Sequence, residues 1–148
     1  MFEIKYKIVT ENFNDINNIT DEYIQYKFLL GSVSICMIND KIPMDWEWIP
    51  LLDFAYSLRN IVSLLKETKN DIEYFEFTES NETLNFAKFQ NLIKITTSFS
   101  SIELIVSSEV FESEIILFHS RISNYVRRHV PNYIPENLEK YLQPLEML

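Results

Sequence analysis

Apolar and polar side chains alternate in short runs along the N-terminal part of the chain. Residues 2–10 alternate between an apolar series and a mainly charged series. A period of two is typical of a half-buried β-strand. Residues 23–30 and 33–38 predict two further strands in the same way. Gly31 and Ser32 lie between these runs and predict a hairpin turn.

The pattern then changes to helical spacing. Residues 39–49 are predicted to form a loop that holds both tryptophans, and Pro50 is predicted at the first helical position. From Leu51 to Leu65, apolar residues recur every three or four positions. This spacing predicts an amphipathic helix that ends near Lys66.

The C-terminal half predicts a meander followed by helices. The β-rich runs 72–78, 84–89, 92–99 and 102–106 are separated by short polar segments, in which Asn and Ser can form turns without glycine. Ser107 or Ser108 is predicted to cap a long second helix that ends before Pro131. The remaining tail predicts a short third helix, with one apolar side made of Leu138, Tyr141 and Leu142.

Together these elements predict an α+β fold in the order βββ-α-ββββ-α-α. We expect a two-layer arrangement, with a mostly antiparallel sheet of about six to seven strands. Two main helices and the short C-terminal helix are expected to cover one face of this sheet. A length of 148 residues fits a single domain over residues 1–148.

Composition excludes several kinds of site. Gly31 is the only glycine in the chain. A P-loop, a dinucleotide-binding turn and a nucleophile elbow each need more than one glycine, so none of them is present. We expect no cofactor.

The few metal-binding and nucleophilic residues do not form a recognisable constellation. Cys36 is the only cysteine, which excludes an internal disulfide and a cysteine zinc site. Its position in a strand-like run predicts a small buried side chain. His119 and His129 lie ten positions apart on one helix, too far to share a metal; we expect His119 at the edge of the core and His129 at the helix end. The sequence therefore predicts neither a metal site nor an enzyme.

Charge narrows the choice of partner. The formal net charge is −9, which repels nucleic acids and anionic membranes and attracts a basic protein. No apolar stretch approaches the roughly 20 residues of a membrane helix. The alternating N-terminus does not resemble a signal peptide, so we expect a cytoplasmic location.

The best candidate for partner binding is the segment with the tryptophans, which contains Asp40, Asp45, Trp46, Glu47 and Trp48. Tryptophan is enriched at binding hot spots, and acidic neighbours select a basic partner. A structural interpretation is also strong, in which the tryptophans lead into the helix and seal the end of the sheet. The alternation of acid and tryptophan is compatible with both the partner-binding and the structural interpretation.

The layout resembles that of small acidic immunity proteins from bacterial polymorphic or contact-dependent toxin systems. The similarity rests on the N-terminal strands, the aromatic meander, the terminal helix and the helix entry Trp46-x-Trp48-x-Pro50-Leu51-Leu52-x-Phe54-Ala55. It implies a non-catalytic protein that binds and neutralises one basic cognate toxin.

Two alternatives stay open. One is a small enzyme or ligand-binding protein with a pocket between sheet and helices. The other is a structural domain that forms a homodimer or larger homo-oligomer. A pocket onto which His119, Tyr and Glu side chains converge would favour the first alternative.

Overall fold

A computed structural model of the chain describes residues 1–14, 16–67, 71–130 and 133–145. In these residues the fold is α+β, as the sequence predicts, with two antiparallel sheets and four α-helices. The strands are β1 (Phe2–Glu11), β2 (Leu29–Met37), β3 (Lys41–Pro50), β4 (Ile72–Glu76), β5 (Thr83–Phe89), β6 (Leu92–Thr97) and β7 (Leu104–Ser107). The helices are α1 (Asp21–Tyr26), α2 (Leu51–Lys66), α3 (Ser108–His129) and α4 (Glu136–Leu142).

The predicted strand over residues 23–30 is wrong for its first half, which forms α1. Thr20 caps this helix, because its hydroxyl oxygen accepts a hydrogen bond from the backbone N–H of Tyr23 at 3.1 Å. Asp21 and Glu22 then occupy the first turn, where carboxylates favour the helix dipole. Over so few residues, alternating and helical patterns overlap, and the cap favours the helix.

Gly31 is not in a hairpin turn, contrary to the prediction. It lies inside β2, the central strand of the three-stranded sheet, where it pairs with Ile8 of β1 and Ile49 of β3. A Cβ atom at this position would lie 2.0 Å from the carbonyl oxygen of Lys7 and 2.9 Å from a methyl carbon of Leu51. The glycine is needed here because two other segments approach the backbone closely.

The predicted loop over residues 39–49 is also wrong, because most of it forms β3. Val33 of β2 pairs with Met44, whereas Gly31 pairs with Ile49. Residues 45–48 of β3 therefore lie opposite Ser32 alone, and we call this segment the β3 bulge. Bulges of this kind bend a strand and redirect its side chains.

The C-terminal half agrees with the prediction. The strands form a four-stranded meander in the order β4-β5-β6-β7. Gln90, not an asparagine, adopts the positive φ of 54° in the turn between β5 and β6. Ser107 caps α3 through a 3.2 Å hydrogen bond from the N–H of Val110. Helix α4 buries Leu138, Tyr141 and Leu142 as expected.

The seven strands of the described residues are divided between two sheets, not joined in one as predicted. A single hydrophobic cluster nevertheless contains side chains of both sheets and of all four helices. Phe54 of α2 is fully buried in this cluster, with ring centroids 5.1 Å from Phe75, 5.9 Å from Phe77 and 6.0 Å from Phe118. Helix α2 therefore joins the four-stranded sheet to α3.

Candidate functional site

The tryptophans of the β3 bulge pack between the two sheets. Trp46 and Trp48 are half-buried, and their rings stack with centroids 5.4 Å apart. The ring of Trp46 also meets Phe77 at 5.3 Å and Phe99 at 4.9 Å, both nearly edge-on. These contacts agree with the structural interpretation, in which the tryptophans seal the end of a sheet.

The acidic residues of the predicted patch lie on the other side of β3. Asp45 and Glu47 are exposed and alternate with the half-buried tryptophans. Asp45 borders a surface depression that is also lined by Lys5 and Lys7. The structure therefore separates the acids from the tryptophans, and the two lysines offset part of the negative charge.

Asp40, the fifth residue of the predicted patch, precedes β3. Its side chain is exposed, and its carbonyl oxygen accepts a 2.8 Å hydrogen bond from the N–H of Met37. This bond closes the turn between β2 and β3. The position of Asp40 is thus explained by the backbone of the turn.

A second surface was not predicted from the sequence: the solvent-facing side of the four-stranded sheet. Strand pairing aligns Ile72, Ala87, Lys94 and Ile105 in one row across all four strands. The side chains of this face include large apolar groups with high exposure. They are Ile72 (70%), Tyr74 (62%), Ile105 (48%) and Phe89 (45%), and we call them the outer face.

The β4 edge of this sheet is acidic. The segment 71–82 contains five carboxylates and no basic residue, namely Asp71, Glu73, Glu76, Glu79 and Glu82; we call these the acidic edge. Within the part of the chain that the structure describes, none of them forms an ion pair. Glu76 pairs with Thr83, which places it on the same side of the sheet as Tyr74. A charged rim therefore borders an exposed apolar face.

Part of this surface could have been found in the sequence. The sequence shows that residues 71–82 contain no lysine or arginine. Its alternation also places Tyr74 and Phe75 on opposite faces of a strand. Ile105 and Phe89, however, are distant in sequence and join the surface only through strand pairing.

Both histidines have structural contacts. His119 is buried, and its Nε2–H donates to the carbonyl oxygen of Tyr141 at 2.8 Å. His129 is exposed at the end of α3, and its Nδ1–H donates to the carbonyl oxygen of Tyr125 at 2.8 Å. Their positions agree with the expectation from the sequence. Among the described residues, no group of three or more His, Cys, Asp and Glu side chains is close enough to hold a metal ion.

Two further titratable side chains are buried, one in β2 and one in α2. Cys36 is buried in β2, as predicted. Asp53 lies in the first turn of α2 with 8% exposure, and burial raises the pKa of its carboxyl group from 3.8 to about 6.

A cavity of about 230 Å³ lies between α2, α3 and the segment that follows α4. The described residues of its lining include His119 and two arginines and no carboxylate.

No protein-family model matches the chain, and neither a curated protein nor a solved structure matches it significantly. None of the helices in the described ranges has the length and apolar character needed to span a membrane. Function is therefore inferred from the surfaces and the cavity of this chain.

Proposed function

We propose that this chain is a non-catalytic protein-binding module for a basic protein, acting in the cytoplasm as an immunity protein that neutralises a cognate toxin. The observation that carries the proposal is the outer face with its acidic edge. Exposed apolar side chains bordered by polar residues are typical of interaction surfaces. A partner with a matching apolar centre and basic rim would complement both features.

The two parts of this surface would have different effects on binding. Tyr74 and Ile72 are the most exposed apolar side chains of the outer face and would supply the contact that slows dissociation. The carboxylates of the acidic edge would speed association with a positively charged protein. Salt should therefore reduce the association rate more than it raises the dissociation rate.

Charge also argues against the alternative that the outer face joins two copies of this chain. The net charge is −9, so two acidic edges would repel each other. A basic partner gains attraction at the same carboxylates. Sedimentation of the purified protein distinguishes self-association from binding to a basic partner. A homodimer at low salt would contradict the proposal that the outer face binds a different, basic protein.

The β3 bulge stays a second candidate surface. Trp46 and Trp48 keep part of their rings exposed, although Phe77 and Phe99 cover the rest. The acids beside them face the opposite side of the strand. This segment is therefore weaker than the outer face as a single continuous interface.

The test uses the product of a toxin-like gene adjacent to the gene of this chain as the binding partner. We expect the purified pair to form a complex and co-expression to protect cells from the toxin. Tyr74→Ala should raise the dissociation rate, and Glu76→Lys should lower the association rate at low salt. Glu109→Lys reverses an exposed acid on α3 and serves as the matched control.

The results for these variants distinguish the outer face from the β3 bulge as the binding interface. If Asp45→Lys and Trp46→Ala weaken the complex while Tyr74→Ala and Glu76→Lys do not, the β3 bulge is the interface and the outer face is wrong. If the neighbouring protein neither binds nor is neutralised, the immunity proposal fails.

A further inference from the structure

The cavity between α2 and α3 differs from the rest of this acidic molecule in its charge. Its polar lining consists of Arg59 from α2 and five residues of α3, namely His119, Ser120, Ser123, Asn124 and Arg127. Apolar residues of α3, the end of α4 and the segment after it complete the wall. Among the described residues, the lining contains two guanidinium groups and no carboxylate, in a chain of net charge −9.

The two arginines are not equivalent. Arg127 is neutralised by Glu139, with two hydrogen bonds of 2.9 and 2.8 Å to the carboxylate oxygens. Within residues 1–14, 16–67, 71–130 and 133–145, Arg59 has neutral acceptors: its Nη1 donates to the carbonyl oxygen of Gln143, and its Nη2 donates to Asn60 Oδ1 at 3.2 Å. No carboxylate of the described residues forms an ion pair with Arg59.

The Nε–H of Arg59 is buried and has no acceptor in the part of the chain that the structure describes. An unpaired buried donor is costly, and a buried charge is costly unless it is compensated. Burial accordingly lowers the pKa of Arg59. The guanidinium thus carries a positive charge that the described residues do not neutralise.

Other groups of the cavity can donate hydrogen bonds to a ligand. The Nδ2 of Asn124 donates to Ser120 Oγ at 3.5 Å, and because this bond does not use the hydroxyl proton of Ser120, that proton can be donated to a ligand. Burial lowers the pKa of His119, its hydrogen bond to Tyr141 opposes this, and the charges of Arg59 and Arg127 lower it further. The charge of Arg59, which disfavours protonation of His119, would stabilise a bound anion.

We infer that this cavity is a binding site for a small oxyanion, a phosphate or carboxylate group, that neutralises Arg59 and accepts hydrogen bonds from the serine and asparagine side chains of α3. Its volume of about 230 Å³ is below the roughly 300–1,000 Å³ typical of drug-sized ligands, so the ligand is small. Guanidinium groups are well suited to both kinds of oxyanion. The site is independent of the outer face.

Calorimetric titration with inorganic phosphate and, separately, with malonate tests the inference at an ionic strength fixed with chloride. We expect at least one of the two anions to bind the wild type. Ser120→Glu introduces a carboxylate at an exposed position of the cavity lining and should weaken binding by roughly tenfold or more. Arg59→Gln should have a similar effect, provided that circular dichroism shows it to be folded.

Ser113→Glu is the matched control, because it adds the same charge at another exposed serine of α3 that does not line the cavity. It should change the affinity by less than roughly threefold, since screening weakens interactions beyond about 8–10 Å. Binding of phosphate alone identifies a phosphate site, and binding of malonate alone identifies a carboxylate site; both support the inference. It is overturned if neither anion binds at millimolar concentration, or if Ser113→Glu and Ser120→Glu weaken binding equally.

Discussion

At the scale of single residues, Gly31 shows how close backbone approach selects an amino acid. The substitution Gly31→Ala would place a methyl group against the carbonyl of Lys7, a backbone atom that cannot rotate away. We expect a loss of about 3 kcal/mol or more in the free energy of unfolding, at the upper end of overpacking effects. Urea denaturation measures it. Ser32→Ala, the neighbouring substitution in β2, is the control, and a loss below about 1 kcal/mol for Gly31→Ala would contradict the close approach.

Asp53 predicts a dependence of stability on pH. Because its pKa is raised from 3.8 to about 6, the folded state keeps a proton between these values that the unfolded state has lost. The free energy of unfolding should therefore fall as pH rises from about 4 to about 6, by about 2–3 kcal/mol. Asp53→Asn should remove this dependence and stabilise the protein at neutral pH.

The measurement is urea denaturation of wild type and Asp53→Asn at about pH 4 and about pH 7. The lowered pKa of His119 acts in the opposite direction, since stability is lost as pH falls below the 6.5 of an exposed histidine. This contribution is common to both proteins and cancels in their difference. If the free energies of unfolding of wild type and Asp53→Asn differ by the same amount at both pH values, Asp53 does not titrate as described.

At the scale of elements, the contacts of the β3 bulge predict that its tryptophans have a structural role. Trp46 contacts both Phe77 and Phe99, so Trp46→Ala should lower the free energy of unfolding by about 2–3 kcal/mol, less than for a fully buried ring. Asp45→Asn, on the exposed side of the same segment, should change it by less than about 0.5 kcal/mol. Urea melts of both variants test this. A stable Trp46→Ala protein would show that the tryptophan does not hold the sheets together.

At the scale of the whole molecule, one hydrophobic cluster spans both sheets, which predicts a single unfolding transition. Tryptophan fluorescence reports on the β3 bulge, whereas far-ultraviolet circular dichroism reports on all elements, and the two curves should coincide. Leu58 of α2 is fully buried, so Leu58→Ala should shift both curves together and cost about 2–5 kcal/mol. Separate midpoints would mean that the sheets unfold independently and that the chain does not behave as one domain.

The elements that the sequence predicts well depend on local interactions. Helix α3 begins at a serine cap and carries an apolar stripe, and both signals lie within a few residues of the structure that they specify. The meander follows from short turns between alternating runs. The N-terminal half is harder because α1 spans only six residues, too few for its period to be distinguished from that of a strand.

By itself the sequence determined the α+β composition, the second half of the fold, the net charge and the exclusion of glycine-dependent phosphate sites, since all of these depend on residue type or local spacing. Only the tertiary structure decided that Gly31 serves close packing, that residues 45–48 bulge from β3, and that Tyr74 and Ile105 share one face. The same holds for the cavity, where Arg59 meets the carbonyl of Gln143, 84 positions away in sequence. Contacts of this kind depend on how distant segments pack, and no local pattern of apolar and polar residues encodes them.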